Sequence, residues 1–194
     1  TSISNVCAGT YTATITDSNG CIVTLPITIT EPLTLTNNLC ITNDATCFGV
    51  CNGSATMCIN GGTPPYTYLW NDPLSQTTSE ADSLCAGNYT ITITDANGCI
   101  IIDSNTIITE PNSLGCTIID TNNVSCDTIP LGWASAAASG GSPPYSYYWN
   151  TTPIQADSIA DSLFAGTYTV LVIDSQGCNT TATISIIDSS NMSA

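Results

Sequence analysis

Eleven cysteines and fifteen carboxylates dominate the reactive chemistry of this chain, because it has no lysine, arginine or histidine. There is therefore no His or Lys for proton transfer near neutral pH. No thiol has a neighbouring base to make it a nucleophile. The remaining arrangement is a carboxylate pair of the glycosidase kind. Asp82, Asp103, Asp157 and Asp161 are the candidates. All four fall in expected loops or at strand ends, where solvated surface carboxylates account for them, so no active site is expected.

Carboxylates can also hold calcium, which takes oxygen ligands. Asp17, Asn19, Asp95, Asn97 and Asp174 offer oxygens in similar loops, but their spacing is not that of an EF-hand. Asp followed by Asn-Gly is already explained as turn chemistry. The expectation is no cofactor, with calcium as the alternative, drawing on Glu31, Glu110, Asp95 and Asp174. No Cys-x-x-Cys pair occurs, which speaks against a zinc ribbon. The net charge of −15 repels nucleic acid and anionic membrane surfaces. No purely apolar run is longer than that of Cys99–Ile102, far too short to span a bilayer.

Trp70 and Trp149 each stand two residues after a tyrosine, Tyr68 and Tyr147. A sugar-stacking platform is one reading. A tryptophan buried on the third strand of a sandwich, against a cystine, is the preferred one. Trp133 aligns with Ser54 and has no common core role, which makes it the candidate for ligand contact. Tyr11, Tyr89 and Tyr168 each begin a late strand, as a tyrosine corner would.

The elements that carry these residues repeat. CAGTYTATITDSNGC (Cys7–Cys21), CAGNYTITITDANGC (Cys85–Cys99) and FAGTYTVLVIDSQGC (Phe164–Cys178) are one block three times. Each alternates apolar and hydroxyl residues with period two, then turns at Asn-Gly or Gln-Gly. GGTPPYTYLWN (Gly61–Asn71) recurs as GGSPPYSYYWN (Gly140–Asn150). A period near 79 divides the chain into the C-terminal half of a first repeat (1–32), a second (33–111), a third (112–188) and a linker or further start (189–194). Short Thr- and Ile-rich strands punctuated by Pro and Gly predict an all-β sandwich in each repeat. Residue 1 falls inside a repeat, so a longer parent protein is expected.

Units of this size are marginal on core burial alone, and the cysteines imply disulfides and an oxidising compartment. The third repeat replaces Cys51, Cys58 and Cys85 with Pro130, Ala137 and Phe164, yet keeps Cys126 and Cys178. A surviving pair should be partnered, which predicts Cys47–Cys99 and Cys126–Cys178. Cys85 should then bond Cys51 or, as the alternative, Cys58. Cys7 and Cys21 would have partners upstream, and Cys40, Cys58 and Cys116 stay unassigned. Ile91, Ile93, Trp70, Val170 and Trp149 should be core, with Thr90, Thr92 and Thr169 facing outward. Phe164 should fill the space of the lost cystine.

CFGVCNGSA, GGTPPYTYLWN, LCAGNYTITITDANGC and the ITEP closure together resemble the SprB-type repeat of very large surface adhesins from gliding Bacteroidetes. The resemblance implies an immunoglobulin-like fold, an extracellular, cell-surface location and a role in adhesion or gliding. It also implies modification of Ser or Thr after Asp, which would fit Ser83, Thr128, Ser158 and Ser162. The expected partners are neighbouring repeats of the same chain and neighbouring copies in a fibre, with no nucleic acid and no membrane insertion. Two other readings remain: repeats that themselves bind polysaccharide or a partner protein, and an accessory part of a secreted hydrolase.

Overall fold

The structure is a computed structural model that describes residues 3–124 and 131–188. Among these residues there are fourteen strands and no helix. β1 (Gly9–Thr16) and β2 (Ile22–Ile29) form a two-stranded antiparallel hairpin. Then come β3 (Thr36–Asn43), β4 (Gly53–Asn60), β5 (Thr67–Trp70), β6 (Glu80–Leu84), β7 (Gly87–Thr94) and β8 (Ile100–Ile108). The plan repeats with β9 (Gly115–Asn122), β10 (Gly132–Ser139), β11 (Ser146–Trp149), β12 (Ile159–Leu163), β13 (Gly166–Ile173) and β14 (Asn179–Ile186). Among the described residues no helix is long and apolar enough to cross a membrane.

Strands β3-β4-β6 form one sheet and β5-β7-β8 the other. The second set gives β9-β10-β12 and β11-β13-β14 in the same arrangement. Each pair of sheets closes over one core. Ala55, Met57, Ala81 and Leu84 from one sheet meet Trp70, Tyr89, Ile91, Ile93 and Ile108 from the other. Ala134, Ala136, Ala160 and Leu163 likewise meet Trp149, Val170, Val172 and Ile186. Period-two alternation produces this directly, since every second side chain of a strand faces the same way. Ile91, Ile93, Trp70, Val170 and Trp149 are all essentially inaccessible, and Thr90, Thr92 and Thr169 lie half-buried on the opposite face.

One edge of each sandwich is tied across its sheets. The Ala45 amide donates to the Thr109 carbonyl at 2.9 Å, and the Thr109 amide to Asp44 Oδ1 at 2.7 Å. In the other sandwich Val124 donates to Ile187 O at 3.1 Å, and Ile187 to Asn123 Oδ1 at 3.0 Å.

Three expectations need correction. The polar loop expected over 71–81 ends in a strand, β6, which places Ala81 and Leu84 in the core. Its five residues and its bulge at Ser83, where φ is +53°, hid it from a period-two reading. Phe164 does not fill a core space: it is 66% exposed. Its counterpart Cys85 is itself at the surface, so losing that cystine leaves no internal space to fill. For the same reason Trp70 and Trp149 do not pack on a buried cystine. Instead each is anchored by its indole N–H, to Thr78 O and Asp157 O, both at 3.0 Å.

Candidate functional site: the stapled junction

The hairpin after β7 is built on Asp95. Its Oδ1 accepts the amides of Asn97 (2.9 Å) and Cys99 (2.8 Å), and its Oδ2 accepts that of Thr63 (2.9 Å). Asp174 repeats this with Gln176, Cys178 and Ser142. Asp17 holds Asn19 and Cys21 in the same way. The Thr63 amide leads in holding the Asp95 carboxyl below the usual range, over the opposing effect of burial. For Asp174, burial pushes upward, but the amides of Ser142, Cys178 and Gln176 together bring the carboxyl down. Gly62 and Gly141, both at positive φ, let the loop approach: a Cβ on Gly141 would sit 2.6 Å from Asp174 Oδ2.

At the base of β7 the Tyr89 hydroxyl donates to Cys85 O at 2.9 Å. Tyr11 and Tyr168 do the same to Cys7 O (2.8 Å) and Phe164 O (3.1 Å). This is the tyrosine corner, and it sets the backbone at positions 7, 85 and 164.

Cys47-Phe48-Gly49-Val50 makes a tight turn, with the Val50 amide donating to Cys47 O at 3.1 Å and Gly49 at φ +74°. Glu110 Oε2 accepts the Gly49 amide at 2.6 Å. Asn52 braces the same loop from the other side: its Oδ1 accepts Thr46 N at 3.0 Å and its Nδ2 donates to Thr46 Oγ1 at 2.8 Å. The two cysteines that flank this turn then go separate ways. Cys51 bonds Cys85 in its own sandwich. Cys47 bonds Cys178, on the hairpin of the following sandwich, closing a span of 131 residues with Cα atoms 5.8 Å apart. Cys40 bonds Cys58 across β3 and β4.

The expected Cys47–Cys99 and Cys126–Cys178 bonds are therefore corrected. Cys99 is exposed and unbonded, and Cys178 belongs to Cys47; Cys126 lies outside the described residues. The two members of an in-repeat pair would sit at opposite ends of one sandwich, because Cys47 follows β3 and Cys99 caps the far end of β7. Equal spacing within each repeat fits a bond between successive repeats just as well. Cys7 and Cys21 are unbonded and exposed, and Cys116 is unbonded and partly buried, with burial pushing its thiol up.

Two cavities flank the cross-link. One, of about 310 Å³, has Cys47, Phe48 and Val50 on one wall and Ser113, Leu114 and Cys178 on the other. The second, of about 360 Å³, lies between Asp44, Thr46 and Glu110 on one side and Ser142 and Gln176 on the other.

The remaining candidates do not converge. Asp95 and Asp174 point their oxygens at backbone amides, and Glu110 is engaged by Gly49, while Glu31 is exposed. Among the described residues no three Cys, Asp or Glu side chains group as metal ligands. Trp133 is half-buried on the outward face of β10, opposite Asn122. Ser83 and Ser162 are exposed at equivalent bulges with φ of +53° and +54°, and Ser158 is exposed; Thr128 lies outside the described residues. Of the four carboxylates considered for catalysis, Asp103 accepts the Asn37 amide group at 2.7 Å. Asp82 and Asp161 are each bracketed through their backbone by Gln76 and Gln155.

Sequence reasoning missed the role of Glu110. The signal was present in its closing position and in the Gly of CFGVC, which marks a turn whose free amide needs an acceptor.

The SprB repeat profile matches residues 34–75. No curated protein matches the chain. Among solved structures, the three N-terminal domains of the bacteriophage RB49 highly immunogenic outer capsid protein align with 17% identity and TM-score 0.48, over 80% of this chain. This chain spans 58% of that structure's length. A tetra-tandem repeat from the extending region of a large adhesion protein aligns with 16% identity and TM-score 0.28, over 91% of this chain and 56% of the other. An amphioxus IgVJ-C2 molecule aligns with 12% identity and TM-score 0.33, over 64% of this chain and 89% of the other. Residues 34–75, which contain β3–β5 and the Cys47 turn, are the part of the chain that is similar to an SprB repeat.

Proposed function

We propose that this chain is a load-bearing stalk segment of an extracellular surface adhesin. The observation that carries the reading is the Cys47–Cys178 bond, which joins consecutive sandwiches covalently beside the short Glu110-Pro111 connection. Under tension the polypeptide between Cys47 and Cys178 is bypassed at that point, so a pulled junction cannot lengthen without breaking a covalent bond. Proline restricts backbone freedom in the connection, and like charge on every unit opposes folding back within the range of salt screening. The chain offers trypsin-like proteases no Lys or Arg to cleave at. Its chemistry supplies structure rather than turnover: the chain has no histidine or lysine to serve as a general acid or base.

Such a segment holds a functional tip away from the cell, with neighbouring repeats as its first partners. A role in gliding, and the surface gripped, belong to the same proposal and rest on the SprB resemblance. Single-molecule pulling of the intact protein with and without reductant tests it. The expected result is a contour-length gain on reduction at each unfolding event. Identical extension in both states would overturn the load-bearing role.

A further inference from the structure

We infer that Cys99 is a second junction staple, bonding the Cys47-type cysteine of a unit that precedes it in the intact chain, so that the array is covalently cross-linked at successive junctions. This rests on the stalk reading only for its purpose, since the geometry stands apart from it. Cys21, Cys99 and Cys178 occupy one place in one turn. Each follows its aspartate by four residues and donates its amide to that carboxylate, at 2.9, 2.8 and 2.9 Å respectively. At Cys178 this place is bonded to the turn of the preceding sandwich.

The surroundings of Cys99 match as well. At the bonded junction Phe48 and Val50 enter against Ser113, Leu114 and Asn179. One unit earlier the counterparts Thr34, Leu35 and Ile100 line an open cavity of about 370 Å³ that has Cys99 in its wall. Glu31 and Pro32 lie along this cavity beside Asn97, as Glu110 and Pro111 lie beside Gln176 at the bonded junction. The same cradle is therefore present on the β3–β8 sandwich. Cys47 itself cannot be the occupant, because it is already spent on Cys178. What fits is a Cys-Phe-Gly-Val-like turn from the unit to which β1 and β2 belong. Cys7, set by the same tyrosine corner as Cys85, would correspondingly bond within that unit.

The bond forms by two thiol–disulfide exchanges with a dithiol oxidase in its disulfide state. One thiolate attacks the oxidase disulfide to give a mixed disulfide. The second thiolate attacks that, forming the junction bond and releasing the oxidase as a dithiol. Two electrons and both thiol protons leave on the oxidase.

The intact protein, blocked with iodoacetamide without reductant and cleaved at Asp and Glu, gives the test by mass spectrometry. The expected result is a Cys99 peptide linked to a peptide from the preceding unit, alongside the Cys47–Cys178 pair as internal control. Alkylated Cys99, Cys99 bonded within its own sandwich, or a reducible dimer through Cys99 would each overturn the inference. Cys99→Ser should release one alkylatable thiol in the preceding unit and leave the strand circular dichroism unchanged; no newly reactive thiol would contradict it. Alkylated Cys99 in a particle that is still elongated overturns the staple alone. Linked Cys99 in a compact particle overturns the stalk alone.

Discussion

The β3–β8 and β9–β14 sandwiches solve the same structural problems with different chemistry. Where the first uses Asp72 to accept the Gln76 amide at 2.9 Å, the second uses the Thr151 hydroxyl to accept that of Gln155 at 3.0 Å. Where the first ties its edge with Asp44, the second uses Asn123. The first carries Cys40–Cys58 and Cys51–Cys85; the second has Ile119 and Ala137 in place of one pair and Phe164 in place of Cys85. The backbone geometry survives every exchange. What the fold requires at these places is an acceptor of the right reach, not a charge, and the surface cystines are additions to a core complete without them. The common elements are the tryptophan anchor, the aspartate-knotted hairpin and the tyrosine corner.

If that division is right, the largest effects fall on the common elements and should be equal in both sandwiches. Trp70→Ala and Trp149→Ala should each destabilise their own sandwich by about 3–5 kcal/mol, read by hydrogen exchange on β7 and β13. A much smaller loss in one would show that the two cores are not equivalent. Removing Cys51 and Cys85 together, as serines, should cost the β3–β8 sandwich about 2–4 kcal/mol and leave exchange in β9–β14 unchanged.

Acid should separate the two further. Asp44, lowered chiefly by the Thr109 amide, and Asp95, lowered chiefly by that of Thr63, both belong to the first sandwich. So does Asp72, where burial pushes upward but the bonds from Gln76 and the backbone amides beside it together bring the carboxyl down. The second sandwich has Asp174. A carboxyl lowered on folding stabilises fully above its unfolded pKa of about 4, and that stability is lost as pH falls through the folded value. Between pH 4 and pH 2 exchange should therefore quicken first in β3–β8. Simultaneous loss would show that neutral acceptors confer no acid resistance.

The smallest effect concerns Thr106, whose buried hydroxyl has no hydrogen-bond partner. The third repeat has Ile184 at this place, opposite Tyr168 as Thr106 is opposite Tyr89. Thr106→Val should raise the stability of its sandwich by about 1 kcal/mol, seen as a higher denaturant midpoint.

Much of this was legible in the chain, since period-two alternation identifies Ile91, Ile93 and Val170 as core and Tyr89 as a corner. β6 was not legible, because its pattern is broken by a bulge at Ser83 and its core contribution is only Ala81 and Leu84. The cysteine pairing was half legible. Cys51 meets Cys85 because both lie at one end of one sandwich, and loss of both in the third repeat betrays them. The Cys47 partner could not be read from spacing, because in a periodic array a bond within a unit and a bond to the next repeat identically. Only the three-dimensional placement of the Cys47 turn against the following hairpin separates them.

The central claim is an end-to-end array with covalent junctions, and small-angle X-ray scattering of the chain in its oxidised state tests it most directly. A compact particle of this length would have a radius of gyration of about 16 Å. Strands of eight or nine residues make units roughly 28 Å long, and two and a half of them predict a rod of ~70 Å with a radius near 20 Å. A value near 16 Å, with a longest dimension no greater than that of one packed domain of the same mass, would contradict the account.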